Sequence, residues 1–335
     1  MSDTWLCEDS NLKRRVVIKA VKTGVSPGKL IDELSALSAI RSKHVVQVLD
    51  VIYDSSGDIC AFVEEYIEGQ ALTCPALPNR AAALKLLYPI ACGVADIHEH
   101  GRLHRDIKPE NMKFDSEGTL KIFDFGLAKL ESNPGTSVLY YSAGFTAPEA
   151  FHKNAKGVHE YNKAVDVFAF GSTALWLLNQ GNLPPEFHAL PSTIPTTGCD
   201  FSKLTPKLPS PVSDILNATL SVAPATRPAM ATVRDILGRY LSQNTHRMLL
   251  TYGSNDYVLD ASNRDTTLTY PPAKVSIHYD GLDFVVTEVA GSVRINNIPA
   301  AVGTLLKGAS VIVLSAPGGG RVSITADVSH PEVMH

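Results

Sequence analysis

The stretch His-Arg-Asp-Ile-Lys-Pro-Glu-Asn occupies residues 104–111, and Asp-Phe-Gly follows at residues 124–126. These motifs supply a carboxylate that can act as a base (Asp106), a cation (Lys108) and two oxygen ligands for a metal ion (Asn111 and Asp124). Residues 112–123, with a Ser-Glu-Gly turn in the middle, predict a β-hairpin with Asn111 and Asp124 at its two ends. Phosphoryl transfer needs these parts, because its catalysis consists mainly of positioning and of neutralising charge.

With the two motifs in this order, residues 4–241 resemble the eukaryotic-type protein kinases. A lone Asp in a loop is usually a turn residue or a helix cap. That interpretation would require both motifs to have arisen together by chance, so the functional interpretation is favoured. Upstream, Val-Val-Ile-Lys at residues 16–19 resembles the strand that carries the phosphate-pairing lysine, so the resemblance gives Lys19 that role. Glu33 resembles its ion-pair partner, on a helix predicted from the helical spacing of Leu30, Leu34, Leu37 and Ile40.

Three landmarks downstream extend the resemblance. Ala-Pro-Glu at residues 147–149 closes an activation segment that opens at Asp124. Asp166 resembles the helix residue that braces the catalytic loop, and Arg227 resembles the arginine that pairs with Glu149. The resemblance implies an α+β, two-lobed protein-kinase-like fold. Its small β-rich lobe (residues 1–66) lacks the first strand, and the hinge and large helical lobe follow at residues 67–241.

The resemblance also implies ATP and Mg²⁺ as cofactors and a role for each site residue. Asp106 and Lys108 are the expected catalytic residues: Asp106 orients the hydroxyl as a base, and Lys108 offsets charge on the moving phosphoryl group. Asn111 and Asp124 are expected to hold the metal. The backbone of residues 65–69 resembles the hinge that bonds the adenine. The residues expected to bind the nucleotide are Lys19, Glu33, Glu65 and Ile67.

The position of Lys108, two residues after Asp106, is typical of kinases that phosphorylate Ser and Thr hydroxyls of proteins. Ser142 stands where such kinases carry a Ser or Thr that bonds the catalytic Asp and Lys. Tyr141 departs from the family, which usually has Gly there, so the shape of the substrate-docking loop stays open. Arg105 is placed to receive a phosphate on the activation loop, where the candidate acceptors are Ser132, Thr136 and Ser137.

Composition favours an enzyme of the cytoplasm. The chain has 335 residues, 44% of them hydrophobic, which is enough for two or three cores. The net charge of −4 and the absence of a long basic run argue against nucleic-acid binding. The five cysteines are scattered and never spaced Cys-x-x-Cys, so neither a disulfide framework nor a zinc site is expected. No signal peptide is evident, and the longest apolar run, residues 165–178, is too short to span a bilayer, so no membrane association is expected.

The residue pattern predicts the elements that carry these motifs. Strands are expected at residues 5–7, 16–20, 45–54 and 59–64. A long helix is expected between Asn79 as its N-cap and Gly101 just past its end. Further helices are predicted at residues 165–178, 212–220 and 229–241.

After residue 241 Val, Ile, Thr and Ser dominate, and turn residues recur about every eight to twelve positions. This pattern predicts a short linker and a small β-sandwich at residues 242–335. The sandwich resembles a forkhead-associated domain, a module that binds phosphothreonine. It lacks a Gly-Arg after the first strand, and Ser276-x-His278 is one residue short of the usual Ser-x-x-His. The partner of this domain could be a phosphopeptide or a second copy of the chain, and both alternatives stay open. The favoured interpretation is a packing or dimerisation module.

Glu64 is unusual for the family. Aligning residues 62–66 with the strand that enters the hinge puts Glu64 at the gatekeeper position, where the family usually has Met, Thr, Leu or Phe. A carboxylate there faces the back of the adenine pocket, and burial raises its pKa unless a cation such as Lys19 is near. The alternative is a one-residue slip that leaves Glu64 facing solvent.

No Gly-rich phosphate loop precedes Lys19. Residues 1–9 resemble the tail of that loop in bacterial members of the family, so we expect either an upstream strand and Gly-rich turn or a naturally shortened kinase of bacterial or phage origin. Because the Gly-rich loop is missing, a second hypothesis is a pseudokinase that acts as a scaffold or sensor. A third hypothesis is a small-molecule phosphotransferase. All the catalytic positions outside the missing loop carry the family's residues, which argues against the pseudokinase. The activation segment, Ala-Pro-Glu and the Arg227 region argue against the small-molecule phosphotransferase.

Overall fold

The computed structural model describes residues 3–21, 28–132, 135–191 and 200–329. The chain forms two compact units, Met1–Leu237 and Gly238–His335. The division falls inside the helix Met230–Leu241, whereas the sequence pattern placed the boundary after residue 241. Helical periodicity continues to Leu241, but Arg239 forms an ion pair with Asp283 and so joins the end of this helix to the second unit. Cys199 lies outside the described residues.

The small lobe is built on a four-stranded antiparallel sheet with the order β1-β2-β4-β3. Its strands are β1 (Asp3–Asp9), β2 (Arg14–Ala20), β3 (Val48–Tyr53) and β4 (Ile59–Glu65). A tight turn at Lys13, which has a φ of 51°, joins β1 to β2. The third strand is shorter than predicted, because Val45 instead forms a parallel bridge with Ile122 of the large lobe.

Helix α1 (Gly28–Ala39) covers this sheet, close to the predicted span. Leu30, Leu34 and Leu37 are buried, and their spacing forms one apolar stripe along the helix. Glu33 lies on the same stripe and is also buried. The stripe therefore carries a carboxylate into the interior of the lobe, where it needs a cation.

In the described part of the large lobe, the α-helices are α2 (Arg80–Glu99), α3 (Ala164–Leu178), α4 (Ser210–Thr219) and α5 (Met230–Leu241). The predicted N-cap is confirmed, because the Asn79 side chain accepts a hydrogen bond from the Ala82 N–H at 3.0 Å. Gly101, just past α2, has a φ of 65°, which a residue without a Cβ adopts at little cost. Helix α3 is buried on nearly all sides, as its continuous apolar sequence predicts.

By length and composition, helix α2 could cross a membrane, and it is the one such helix among the described residues. Most of its apolar surface is buried inside the fold. A mostly buried helix of this kind is weak evidence for a membrane span, because core helices of folded domains have the same composition.

The motif residues are held by the predicted hairpin, β6 (Met112–Phe114) and β7 (Leu120–Ile122). The Phe123 N–H donates to the Asn111 carbonyl at 3.0 Å, so Asn111 and Asp124 lie at adjacent ends of the hairpin, as predicted. A second short pair, β5 (Arg102–Leu103) and β8 (Lys129–Leu130), flanks the motifs on either side.

The second unit consists of two sheets that enclose one hydrophobic core. Its strands are β9 (Met248–Tyr252), β10 (Asn255–Leu259), β11 (Asp265–Tyr270), β12 (Ala273–Tyr279), β13 (Phe284–Ala290), β14 (Ser292–Ile295), β15 (Ile298–Pro299), β16 (Leu305–Leu306), β17 (Ser310–Ser315) and β18 (Arg321–Val328). The sheet orders are β10-β9-β18-β17-β14-β15 and β11-β12-β13-β16. Burial alternates along β12, with Val275 and Ile277 inside, as the alternating sequence requires.

Arg227 joins several segments of the large lobe through hydrogen bonds. Its side chain is fully buried and donates to both carboxylate oxygens of Glu149, at 2.5 and 2.9 Å, which confirms the predicted pair. It also donates to the carbonyl of Ala164 at 2.8 Å, at the first residue of α3. The guanidinium lies 5.1 Å from the centre of the Phe168 ring. A buried cation with this many partners is costly to leave unpaired.

Replacing Glu149 with Ala is expected to lower the free energy of unfolding of the first unit by about 3 kcal/mol, because the Arg227 guanidinium loses its counter-charge in the interior. Urea unfolding followed by tryptophan fluorescence measures this, since both tryptophans, Trp5 and Trp176, belong to the first unit. The matched control is Glu99→Ala, which breaks the exposed Arg234–Glu99 pair and should cost below about 1 kcal/mol. Equal losses in the two variants would contradict the argument.

Candidate active site

The turn at residues 104–106, the predicted catalytic loop, is held by the buried carboxylate of Asp166. This carboxylate accepts hydrogen bonds from the backbone N–H groups of His104 and Arg105, at 2.9 and 2.7 Å, and lies 3.0 Å from His98 Nε2. Burial alone would raise the pKa of Asp166, but the contact with His98 and the N–H groups holds that pKa below its usual range. Arg105 has a φ of 70°, a conformation uncommon for a residue with a side chain. The predicted brace is therefore present, and it fixes the turn that presents Asp106.

Asp106 lies at the centre of a set of hydrogen bonds. Ser142 Oγ donates to Asp106 Oδ1 at 2.7 Å, and Lys108 Nζ lies 2.8 Å from Asp106 Oδ2 and 2.9 Å from Ser142 Oγ. Asn111 Nδ2 donates to the carbonyl and to the carboxylate of Asp106, at 2.8 and 2.9 Å. Burial would raise the pKa of Asp106, but the bonds from Lys108 and Ser142 outweigh it and hold the pKa below its usual range. The carboxylate is therefore ionised and able to accept a hydrogen bond from a hydroxyl group.

Asn111 and Asp124 offer an amide and a carboxylate, which are oxygen ligands of the kind that Mg²⁺ prefers. Among the described residues, the ion pairs around the cleft join Lys19 to Glu33 and Glu64, Lys108 to Asp106 and Lys121 to Glu65, and none of them includes Asp124. No cluster of three or more His, Cys, Asp or Glu that could hold a metal is present in the part of the chain that the structure describes. Two ligands suit Mg²⁺, because this ion keeps several waters and commonly arrives with substrate phosphates.

A cleft of about 670 Å³ lies between the two lobes of the first unit, a size typical of small-molecule sites. Seven of the eight predicted site residues line it: Lys19, Glu33, Glu65, Ile67, Asp106, Lys108 and Asp124. The eighth, Asn111, contacts Asp106 directly. The fold therefore places in one cleft predicted site residues that are more than 100 positions apart in the chain, such as Lys19 and Asp124.

The predicted hinge is anchored by the Glu65 side chain. One carboxylate oxygen accepts hydrogen bonds from Lys121 Nζ at 2.8 Å and from the Gln47 N–H at 2.9 Å. The Glu65 N–H donates to the Gln47 carbonyl at 2.9 Å. These bonds fix the backbone at the end of β4, just before buried Ile67, along the wall of the cleft.

Lys19 is paired with two carboxylates. Its ammonium lies 2.6 Å from Glu33 Oε1, which confirms the predicted pair, and 3.3 Å from Glu64 Oε1. Glu64 is only 3% exposed, so the alternative in which it faces solvent is wrong. The reason is register: Lys19 lies opposite Phe62, and Glu64 is the diagonal neighbour on the same face of the sheet.

The carboxylate of Glu64 is poorly compensated. Burial raises its pKa to about 7, and the attraction of Lys19 offsets this only in part. Oε1 is buried, and its one ion-pair contact among the described residues is with Lys19 Nζ at 3.3 Å. Burial would lower the pKa of Lys19, but Glu64 and Glu33 together raise it, so the lysine stays charged.

Sequence reasoning missed several walls of the cleft. Val17 and Val21 line it, at two-residue intervals from Lys19 on or next to β2. Strand alternation could have identified both, because side chains two apart point to the same face. Tyr140 and Val46 also line the cleft, and they carry no local signal, since the packing of distant segments brings them there.

Replacing Glu64 with Gln should change how stability depends on pH. The folded-state pKa of Glu64 is raised from 4.5 to about 7, so its contribution is present below pH 4.5 and is lost as the pH rises through about 7. Relative to Glu64→Gln, the wild-type free energy of unfolding should fall by on the order of 3 kcal/mol across this window and then stay level. Urea unfolding followed by tryptophan fluorescence at several pH values measures it.

The control is Glu117→Gln, at the exposed turn of the β6–β7 hairpin. This variant should keep the wild-type pH dependence, because Glu117 is solvated in both states. Parallel stability profiles for the wild type and Glu64→Gln would show that Glu64 does not titrate in this window.

Comparison with known proteins gives the family. The family model described as "Protein kinase domain" matches residues 1–237. A serine/threonine-protein kinase of Corynebacterium efficiens is 31% identical over 245 residues, which cover 68% of this chain and 45% of that protein. A serine/threonine-protein kinase of Myxococcus xanthus is 30% identical over 218 residues, covering 58% of this chain and 26% of that protein.

Cyclin-dependent kinase 20 of Danio rerio is also similar, with 31% identity over 182 residues that cover 51% of this chain and 50% of that protein. The chain therefore spans half or less of the length of these curated relatives. The matched family region coincides with the first compact unit, which carries the cleft and its charged residues. The chain belongs to the protein kinase family.

Proposed function

We propose that this chain is an ATP-dependent protein kinase that transfers the γ-phosphoryl group to Ser or Thr hydroxyls of protein substrates. The observation that carries the proposal is the ionised Asp106 carboxylate, bonded to Lys108, Ser142 and Asn111 at the floor of the cleft. The Lys19–Glu33 pair stands on the other side of the same cleft. A base and a phosphate-pairing cation on facing walls are what an in-line transfer needs.

In the proposed reaction, Asp106 accepts a hydrogen bond from the substrate hydroxyl and orients it for attack. Lys108 lies 2.8 Å from the same carboxylate and would offset charge on the transferred group. Lys19 pairs with the phosphates of the nucleotide. Magnesium ions held by Asn111 and Asp124 would neutralise charge on those phosphates.

Substrate class is proposed from the bonding of Ser142. Its hydroxyl joins Lys108 to Asp106, and so ties the activation segment to the catalytic loop. Tyr141, beside it, is about half exposed, lines the cleft and lies 5.8 Å from the Phe151 ring. The hydrogen bonds that join Ser142, Lys108 and Asp106 support a Ser or Thr hydroxyl as the acceptor, because this set is typical of kinases that phosphorylate those residues.

We also propose that a phosphate on the activation segment binds Arg105. Its guanidinium stacks 4.0 Å from the Tyr161 ring, and its buried Nε has no hydrogen-bond partner among the described residues. The candidate acceptor Thr136 is near in the fold, because its backbone pairs with His159, two residues before Tyr161. Ser132 and Ser137 are the other candidates, and a phosphate on any of them would supply charge-assisted bonds to the guanidinium.

For the second unit we propose a forkhead-associated-like β-sandwich that serves packing or dimerisation. The two-sheet architecture with alternating burial supports the fold. Phosphothreonine binding at Ser276 is disfavoured, because its hydroxyl donates to the Glu288 carboxylate at 3.0 Å, and that charge would repel a phosphate. Ile298 and Val302 are 69% and 66% exposed, which suits contact with another protein surface.

Replacing Asp106 with Asn is expected to lower the rate of phosphoryl transfer by about 10²- to 10⁴-fold, because the amide keeps the shape of the side chain but cannot take the hydroxyl proton. The measurement is transfer from radiolabelled ATP to the chain itself and to a generic protein substrate. Nucleotide binding should be retained, because Asp106 is not among the residues proposed to bind the nucleotide phosphates. Unaltered autophosphorylation by this variant would contradict the assignment.

The matched control is Asp214→Asn on an exposed turn of α4, which should retain the wild-type rate. The rival pseudokinase hypothesis predicts a different pattern: magnesium-dependent binding of ATP by the wild type with no transfer to any substrate. That result would replace the proposed enzyme with a binding protein.

A further inference from the structure

Two buried carboxylates share one ammonium at the back of the cleft. Lys19, Glu33 and Glu64 are 8%, 4% and 3% exposed, and the ammonium lies 2.6 Å from one carboxylate and 3.3 Å from the other. The pairing of Lys19 with Glu33 belongs to the proposed phosphate-binding role. Glu64 adds a second anion to a site that otherwise balances.

No second cation in the described residues neutralises Glu64. The charged groups that act on it are Lys19 from β2, Glu33 from α1 and Asp124 from the segment after β7, and the two acidic groups both oppose its ionisation. The other lysines that line the cleft are engaged elsewhere. Lys108 is bonded to Asp106 and Ser142, and Lys113 lies over the Tyr66 ring.

We propose that Glu64 is a positioning residue that holds the Lys19 ammonium in the free protein and takes up a proton when nucleotide phosphates bind. This inference rests on the proposed nucleotide binding by Lys19. In the free protein, ionised Glu64 interacts with the Lys19 ammonium. When a nucleotide binds, its phosphates compete with Glu64 for that ammonium. Protonation of Glu64 removes its negative charge, so Lys19 is then shared only by Glu33 and the phosphates.

The direction of the proton follows from the charges. Magnesium–ADP still carries a net negative charge, and its phosphates draw the Lys19 ammonium, so ionised Glu64 loses part of the attraction of Lys19, its one counter-charge among the described residues. Both effects favour the neutral acid, since a buried carboxylate without a cation is costly. Burial already raises the pKa of Glu64 to about 7 in the free protein, so the uptake falls in an accessible pH range. The proton comes from solvent, and no other bond is made or broken.

Linkage makes the effect reciprocal. If the nucleotide raises the proton affinity of Glu64, protonation of Glu64 must raise the nucleotide affinity by the same factor. Above the free-protein pKa, the affinity should therefore fall as the pH rises, by up to about tenfold per pH unit. A side chain with a purely structural role would not produce this slope.

The experiment is calorimetric titration of the full chain with magnesium–ADP, which carries the phosphates that Lys19 is expected to pair and cannot be transferred. The titration is run in two buffers of different ionisation enthalpy, between about pH 6 and about pH 9. The difference in apparent enthalpy between the buffers gives the number of protons taken up. Any titration of the nucleotide itself is common to all variants and cancels in the comparison.

At the alkaline end, the wild type should take up as much as about one proton more per bound nucleotide than Glu64→Gln. The difference should vanish toward about pH 6, where Glu64 is already protonated. Glu64→Met serves as a second neutral variant, and Glu117→Gln, on the exposed hairpin turn, should match the wild type. Equal proton uptake by the wild type and the neutral variants at every pH would overturn the inference while leaving nucleotide binding intact.

Failure of the wild type to bind magnesium–ADP at any pH would overturn the proposed kinase activity and this inference with it. If both neutral variants fail to fold, the wild-type titration still decides: binding with no proton uptake across the range overturns the role given to Glu64. The two failures are thus distinguishable by whether the wild type binds.

Discussion

The placement of Asp106 depends on one buried carboxylate, that of Asp166. The left-handed backbone of Arg105 costs on the order of 1–3 kcal/mol, and two N–H bonds to Asp166 offset that cost at the same turn. Asp166 lies in the first turn of α3, so the start of that helix must itself be fixed. Arg227 fixes it, because its guanidinium donates to the Ala164 carbonyl while paired with Glu149. A chain of polar contacts thus runs from Glu149 through Arg227 and the start of α3 to the turn that carries Asp106.

The charges of the cleft fall into two groups with different balance. On the large-lobe side, Asp106 is matched by Lys108 and further stabilised by Ser142 and Asn111, so its ionised form is favoured. On the small-lobe side, Lys19 faces both Glu33 and Glu64. Low-dielectric surroundings strengthen the attraction within each pair but also raise the cost of the unmatched anion. The Asp106 carboxylate is therefore ionised, whereas the raised pKa of Glu64, about 7, leaves that carboxylate partly protonated near neutral pH.

Much of the site could be predicted from sequence, because motifs of the large lobe are local. The hairpin of residues 112–123 places Asn111 beside Asp124 through pairing of neighbouring strands, and the Asn79 cap is encoded next to its helix. Other features depend on distant packing. Val45 pairs with Ile122 and shortens β3, and Tyr140 reaches the cleft from the activation segment. No local pattern encodes either contact.

The orientation of Glu64 was one question that sequence left open, and sheet register decides it. A slip of one residue moves every side chain of a strand to the other face, so the pairing of Val17 with Glu64 fixes both Glu64 and its neighbour. Glu64 turns toward Lys19, whereas the Glu65 side chain bonds Lys121 of β7 and the Gln47 N–H. Consecutive carboxylates on β4 thus serve opposite faces. One sets the charge around the Lys19 ammonium, and the other ties the end of the same strand to the large lobe. Glu64, beside the lysine proposed to pair the phosphates, is thus followed directly on β4 by Glu65, where the backbone proposed to bind the adenine begins.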